Sequence, residues 1–72
     1  MTALEIINQW IYIAYRKGLS TQRSYFWIAR DILEGKVSVS PDYKKLTVEY
    51  IQENVKESEE KNILLKALEE KL

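Results

Sequence analysis

Nothing in this chain can staple it together. It contains no cysteine and no histidine, so a disulfide is excluded and a structural zinc ion would lack its usual ligands. The chain has only 72 residues, and a domain of that size buries only about 60% of the surface that its unfolded form exposes. Its order must therefore come from densely packed secondary structure or from a second subunit. A composition of 46% hydrophobic and 31% charged residues is that of a folded domain rather than a disordered segment. The length sets one domain, residues 1–72.

The spacing of apolar residues selects helices. At about 100° per residue, Leu4, Ile7, Trp10, Ile11, Ala14 and Tyr15 share one face, and Ile6 and Ile13 widen it. Thr2-Ala3-Leu4-Glu5 matches the capping box that starts a helix, and Gly18 is suited to end it. Ser20 is placed to cap a second helix whose core face holds Tyr25, Phe26, Ile28, Ala29, Ile32 and Leu33, with Gly35 as its stop. Ser40-Pro41-Asp42 combines an N-cap, a first-turn proline and an acid. Tyr43, Leu46, Tyr50, Ile51 and Val55 then recur at helical spacing, which places Tyr43 and Tyr50 in the core.

From Lys56 to Asn62 the chain is wholly polar. Two readings follow. Ser58 caps a fourth helix carrying Leu64, Leu65, Leu68 and Leu72, or one helix runs from Pro41 to Leu72, supported by the i,i+4 pair Glu57–Lys61. The length prior on helices favours the break. Lys36-Val37-Ser38-Val39-Ser40 alternates apolar and polar residues but has no strand to pair with in this chain, and is read as an extended connector. The expectation is an all-α, small three- or four-helix bundle with helices near 3–17, 21–34, 41–57 and 59–72 and an extended connector at about 36–40.

Catalysis finds little support. No histidine can shuttle protons and no cysteine can act as nucleophile. The carboxylate pairs Asp31/Glu34 and Glu49/Glu53 share helix faces, but solvated surface accounts for such pairs. No glycine-rich phosphate loop and no calcium-type spacing is present. The expectation is a protein that is not an enzyme and uses no cofactor and no metal. No run approaches the roughly eighteen apolar residues of a membrane span, and Met1–Glu5 lacks the basic start of a signal peptide. These features, with the absence of cysteine, predict a cytoplasmic protein with no membrane association.

The aromatic residues point to a surface instead. Six of the eight fall between Trp10 and Trp27. Tyr12 and Trp27 land on faces otherwise given to polar residues, and Arg23 and Arg30 flank Trp27. Trp, Tyr and Arg are the types enriched where proteins dock. The predicted partner-binding residues are Tyr12, Arg23, Trp27 and Arg30. The predicted function is that of a small protein-binding regulator, inhibitor or adaptor, with a protein partner or a second copy of the chain, a homodimer, as the bound species. The alternative is a DNA-binding regulator: Ala14, Gly18, Leu19 and Ser20 partly match a helix-turn-helix turn, and Gln22, Arg23 and Arg30 would then be the nucleic-acid-binding residues. Residues 1–45 carry seven basic side chains against four acids, and residues 46–72 four against seven. A basic front half admits an anionic partner of either kind.

Overall fold

The computed structural model describes residues 1–36 and 39–72 and contains four helices: α1 (Ala3–Lys17), α2 (Ser20–Leu33), α3 (Pro41–Asn54) and α4 (Glu59–Glu69). No strand occurs among the described residues. Val37 and Ser38, the centre of the expected connector, lie outside the described residues. Of its remaining residues, Val39 packs against the core.

Local chemistry sets the ends of the helices. Thr2 and Glu5 close the capping box, the Thr2 N–H donating to Glu5 Oε1 at 2.9 Å and the Glu5 N–H to Thr2 Oγ1 at 3.2 Å. The first bond holds the Glu5 carboxyl below its ordinary value, with the Thr2 hydroxyl adding to it. After α1 the Leu19 N–H reaches back to the Ala14 carbonyl and the Gly18 N–H to Tyr15, a Schellman stop that places Gly18 at φ 69°. This tight link corrects the expected start of α2. Leu19 holds the cap position and makes no side-chain bond. Ser20 is already helical, its carbonyl accepting from Ser24 Oγ. Gly35, at φ 78°, ends α2 in the same way as Gly18 ends α1.

Helices α1 and α2 form an antiparallel hairpin: Asn8 meets Arg30 near one end and Tyr15 meets Arg23 near the other. Helix α3 packs on α2 and α4, and α4 also packs on α1 and α2. The core comprises Ile6, Ile7 and Ala14 from α1, Phe26, Ala29 and Ile32 from α2, Val48 and Ile51 from α3, and Leu64 and Leu68 from α4. Trp10 tilts against Phe26 at 5.4 Å, and Tyr25 stacks on Tyr50 at 4.0 Å, joining α2 to α3.

Three stripes differ from their expected facing; that of the last helix loses Leu72, which lies beyond the end of α4 at Glu69 rather than within a helix to 72 and is 59% exposed. On α1 the buried line runs through Ile6, Ile7 and Ala14, leaving Leu4, Ile13 and Tyr15 exposed. On α3 the buried residues are Thr47, Val48 and Ile51, while Tyr43 and Leu46 face outward. Thr47 is accommodated because its hydroxyl donates to the Tyr43 carbonyl at 2.7 Å. Both helices carry more apolar residues than one neighbour-facing stripe can bury, and packing on two partners selects which of them go inside.

The chain breaks between α3 and α4, so residues 41–72 are two helices, and α3 stops at Asn54 rather than near 57 because Val55 is already extended. Asn54 closes α3 with its amide on the Tyr50 carbonyl, and Ser58 Oγ accepts from the Lys61 N–H. Lys61 is 2% exposed. Its ammonium donates to the Gln52 and Val55 carbonyls at 2.9 and 2.8 Å and to Glu57 Oε1 at 2.8 Å. The Glu57–Lys61 pair forms, but across a corner rather than within a continuous helix. A cation is thereby set on the carbonyl end of α3, where the helix dipole favours it.

Candidate functional site

Arg23, Trp27 and Arg30 stand at i, i+4 and i+7 on α2, which places them along one stripe. The antiparallel hairpin sets this stripe beside Tyr12 and Tyr15 of α1. The rings stay largely outside: Tyr12 is 58% exposed, Tyr15 63% and Trp27 45%.

Each of these three rings carries a guanidinium. The Arg30 guanidinium carbon lies 3.8 Å from the centre of the Trp27 ring, and its Nη1 donates to Asn8 Oδ1 at 3.1 Å. Arg23 reaches across the hairpin to within 5.5 Å of the Tyr15 ring centre. Arg16 sits 5.8 Å from the centre of Tyr12 and donates to its hydroxyl at 2.9 Å. Exposed cation–π contacts contribute about 0.5–1 kcal/mol each. Their larger effect is to hold long side chains in one place, so that less entropy is lost when a partner arrives. Asn8, Ile11, Tyr12, Tyr15, Arg23 and Trp27 line a depression of ≈ 250 Å³, and Asn8, Gln9, Tyr12 and Ile13 line another of ≈ 430 Å³.

The electrostatics of the face are one-sided. Asp31 and Glu34, acids that the α2 sequence places near Trp27, are drawn to Lys36 at 3.3 and 3.6 Å. Glu5 is engaged in its capping box. Among the described residues no carboxylate forms an ion pair with Arg16, Arg23 or Arg30.

The structure thus brings Tyr12, Arg23, Trp27 and Arg30 together, and adds Asn8, Tyr15 and Arg16. Sequence spacing assigned Tyr15 to the core. Its place at the edge of the α1 stripe, opposite Arg23 in an antiparallel hairpin, was the available signal. Gln22 stands apart: it lines a different groove of ≈ 250 Å³ with Trp10, Ile13, Phe26 and the end of α3. Among the described residues no three potential metal-ligating side chains gather, and no helix is long and apolar enough to cross a membrane. Compared with protein-family models, with curated proteins and with solved structures, the chain finds no match.

Proposed function

We propose that this chain is a non-enzymatic, cytoplasmic protein-binding module, a small regulator, inhibitor or adaptor, that docks through the α1–α2 face. The observation that carries the reading is the set of three exposed rings on one hairpin, each overlaid by an arginine. Burying Trp27, with Tyr12 and Tyr15 beside it, supplies affinity, since aromatic anchors dominate interface energetics. Arg23 and Arg30 orient an anionic partner and speed its approach.

The alternative reading, duplex DNA bound through Gln22, Arg23 and Arg30, makes a different use of the same arginines. A binding measurement separates the two. The chain is immobilised, proteins it captures from its host are identified, and affinity is measured for wild type, Trp27→Ala and Arg23→Ala at rising salt. Protein docking predicts at least a tenfold loss for Trp27→Ala, about 1.4 kcal/mol or more, with a shallow salt dependence. DNA binding predicts retention of duplex DNA, a steep salt dependence, and a dominant loss on Arg23→Ala. Capture that survives Trp27→Ala unchanged overturns the docking reading.

A further inference from the structure

We infer that the occupant of the α1–α2 face is a second copy of this chain, bound through the outer face of its α3. The inference rests on the docking reading above and names its partner. On α2 the order is Arg23, Trp27, Arg30; on α3 it is Asp42, Leu46, Glu49, at the same i, i+4, i+7 spacing. A seven-residue step rises about 10.5 Å along a helix, so the backbone positions of the two arginines and of the two acids are equally far apart, and the long arginine side chains, now resting on Trp27 and Tyr15, turn outward to a partner. All three α3 residues face solvent, Leu46 being 50% exposed. Neither Asp42 nor Glu49 forms an ion pair among the described residues.

Laid together in either direction, the arginine positions fall opposite the two acids and Trp27 near Leu46; exposed Lys45 lies beside the two acids, so this α3 face carries a net charge of one negative against the arginines. Tyr43, exposed one turn away on α3, extends the apolar strip. Pairing the basic face with its own equivalent opposes arginine to arginine, which like-charge repulsion disfavours. The zero net charge of the whole chain removes long-range repulsion between copies. Because the two patches lie on different helices, each copy donates one and receives on the other. The product is a closed dimer where a two-fold axis relates the contacts and an open chain where it does not.

Sedimentation velocity tests this on the full chain between about 10 µM and about 1 mM, the range in which weak pairing becomes visible. The expected result is a mass that rises with concentration and declines only modestly as salt is raised, as the docking reading requires. Trp27→Ala, Arg23→Glu/Arg30→Glu and Asp42→Lys/Glu49→Lys each weaken association at least tenfold. An equimolar mixture of the two charge-reversed variants regains it, because the reversed faces again match. Circular dichroism checks that each variant keeps its helices. Where a reversed pair does not, Arg23→Gln/Arg30→Gln or Asp42→Asn/Glu49→Gln takes its place, with the same tenfold loss expected. A wild-type chain that stays monomeric throughout, association indifferent to either charge pair, or a mixture of reversed variants that stays monomeric overturns the self-pairing. A monomer whose Trp27 face still captures a different protein overturns the self-pairing alone and leaves the docking reading standing.

Discussion

Lys61→Met removes the ammonium that holds the corner between α3 and α4 while keeping most of the buried stem. Two carbonyls, of Gln52 and Val55, then lose donors at 2.9 and 2.8 Å. A buried acceptor left unsatisfied costs about 1–3 kcal/mol. Gln52 is exposed, so water reaches part of this corner and the lower end of that range applies. Relief from burying a charge offsets some of the rest. The net expectation is a loss of about 1–2 kcal/mol. Lys61→Ala also deletes the three buried methylenes of the lysine stem beyond Cβ, at about 0.8 kcal/mol each, bringing its loss to about 3.5–4.5 kcal/mol. A chain of this length has a total stability of about 4–11 kcal/mol at the usual value per residue, so the alanine variant loses a large part of it. The Glu57 side chain is 80% exposed, and Glu57→Gln should cost under about 0.5 kcal/mol. Urea unfolding followed by circular dichroism reads all three as shifts in midpoint at constant slope. Heating reads Lys61→Met as a fall in Tm of about 4–8 °C per kcal/mol. A methionine variant as stable as wild type, or a Glu57→Gln variant as damaged as Lys61→Met, refutes the view that the lysine acts by capping carbonyls.

Three further outcomes are expected. Gly18→Ala forces a side chain into φ 69° with nothing within 4 Å of the new carbon, so the loss is purely conformational, about 1 kcal/mol; a gain in urea midpoint would contradict it. The capping-box bond lowers the folded-state pKa of Glu5 from 4.5. Its contribution is therefore present above the unfolded value and lost as pH falls through the folded one. Glu5→Gln should flatten that part of an acid-unfolding profile, and an unchanged profile would count against the linkage. Trp27→Ala should cost only about 1 kcal/mol in stability, because the ring is half outside, while partner affinity drops at least tenfold. Denaturation and binding measured on the same preparation separate these effects, and equal losses in both would point to a structural role for the ring.

Much of the architecture is legible from short-range chemistry. Thr2/Glu5, Gly18, Gly35, Ser40-Pro41 and Ser58 mark helix ends within a residue or two, because caps and stops act over a single turn. The corner at residues 55–58 was a harder matter. Neither glycine nor proline marks it, and Lys61 reads as one more solvated charge until its ammonium is seen on two backbone carbonyls from the preceding helix. The candidate face divides in the same way. Trp27 between Arg23 and Arg30 is visible in the spacing, since helical periodicity puts all three on one stripe. Tyr15 and Arg16 join that face only because the hairpin register sets α1 alongside it.

The sequence by itself determined the amphipathic segments, most of their starting points, and the separation of a basic front from an acidic back, while leaving residues 41–72 open between one helix and two. Those properties follow from interactions between residues a few positions apart. Tertiary structure decided which of the surplus apolar side chains were buried. It passed over Tyr15, Tyr43 and Leu46 in favour of Ala14, Thr47 and Val48. A helix touching two neighbours buries the residues that point between them, and that direction depends on where distant segments come to rest.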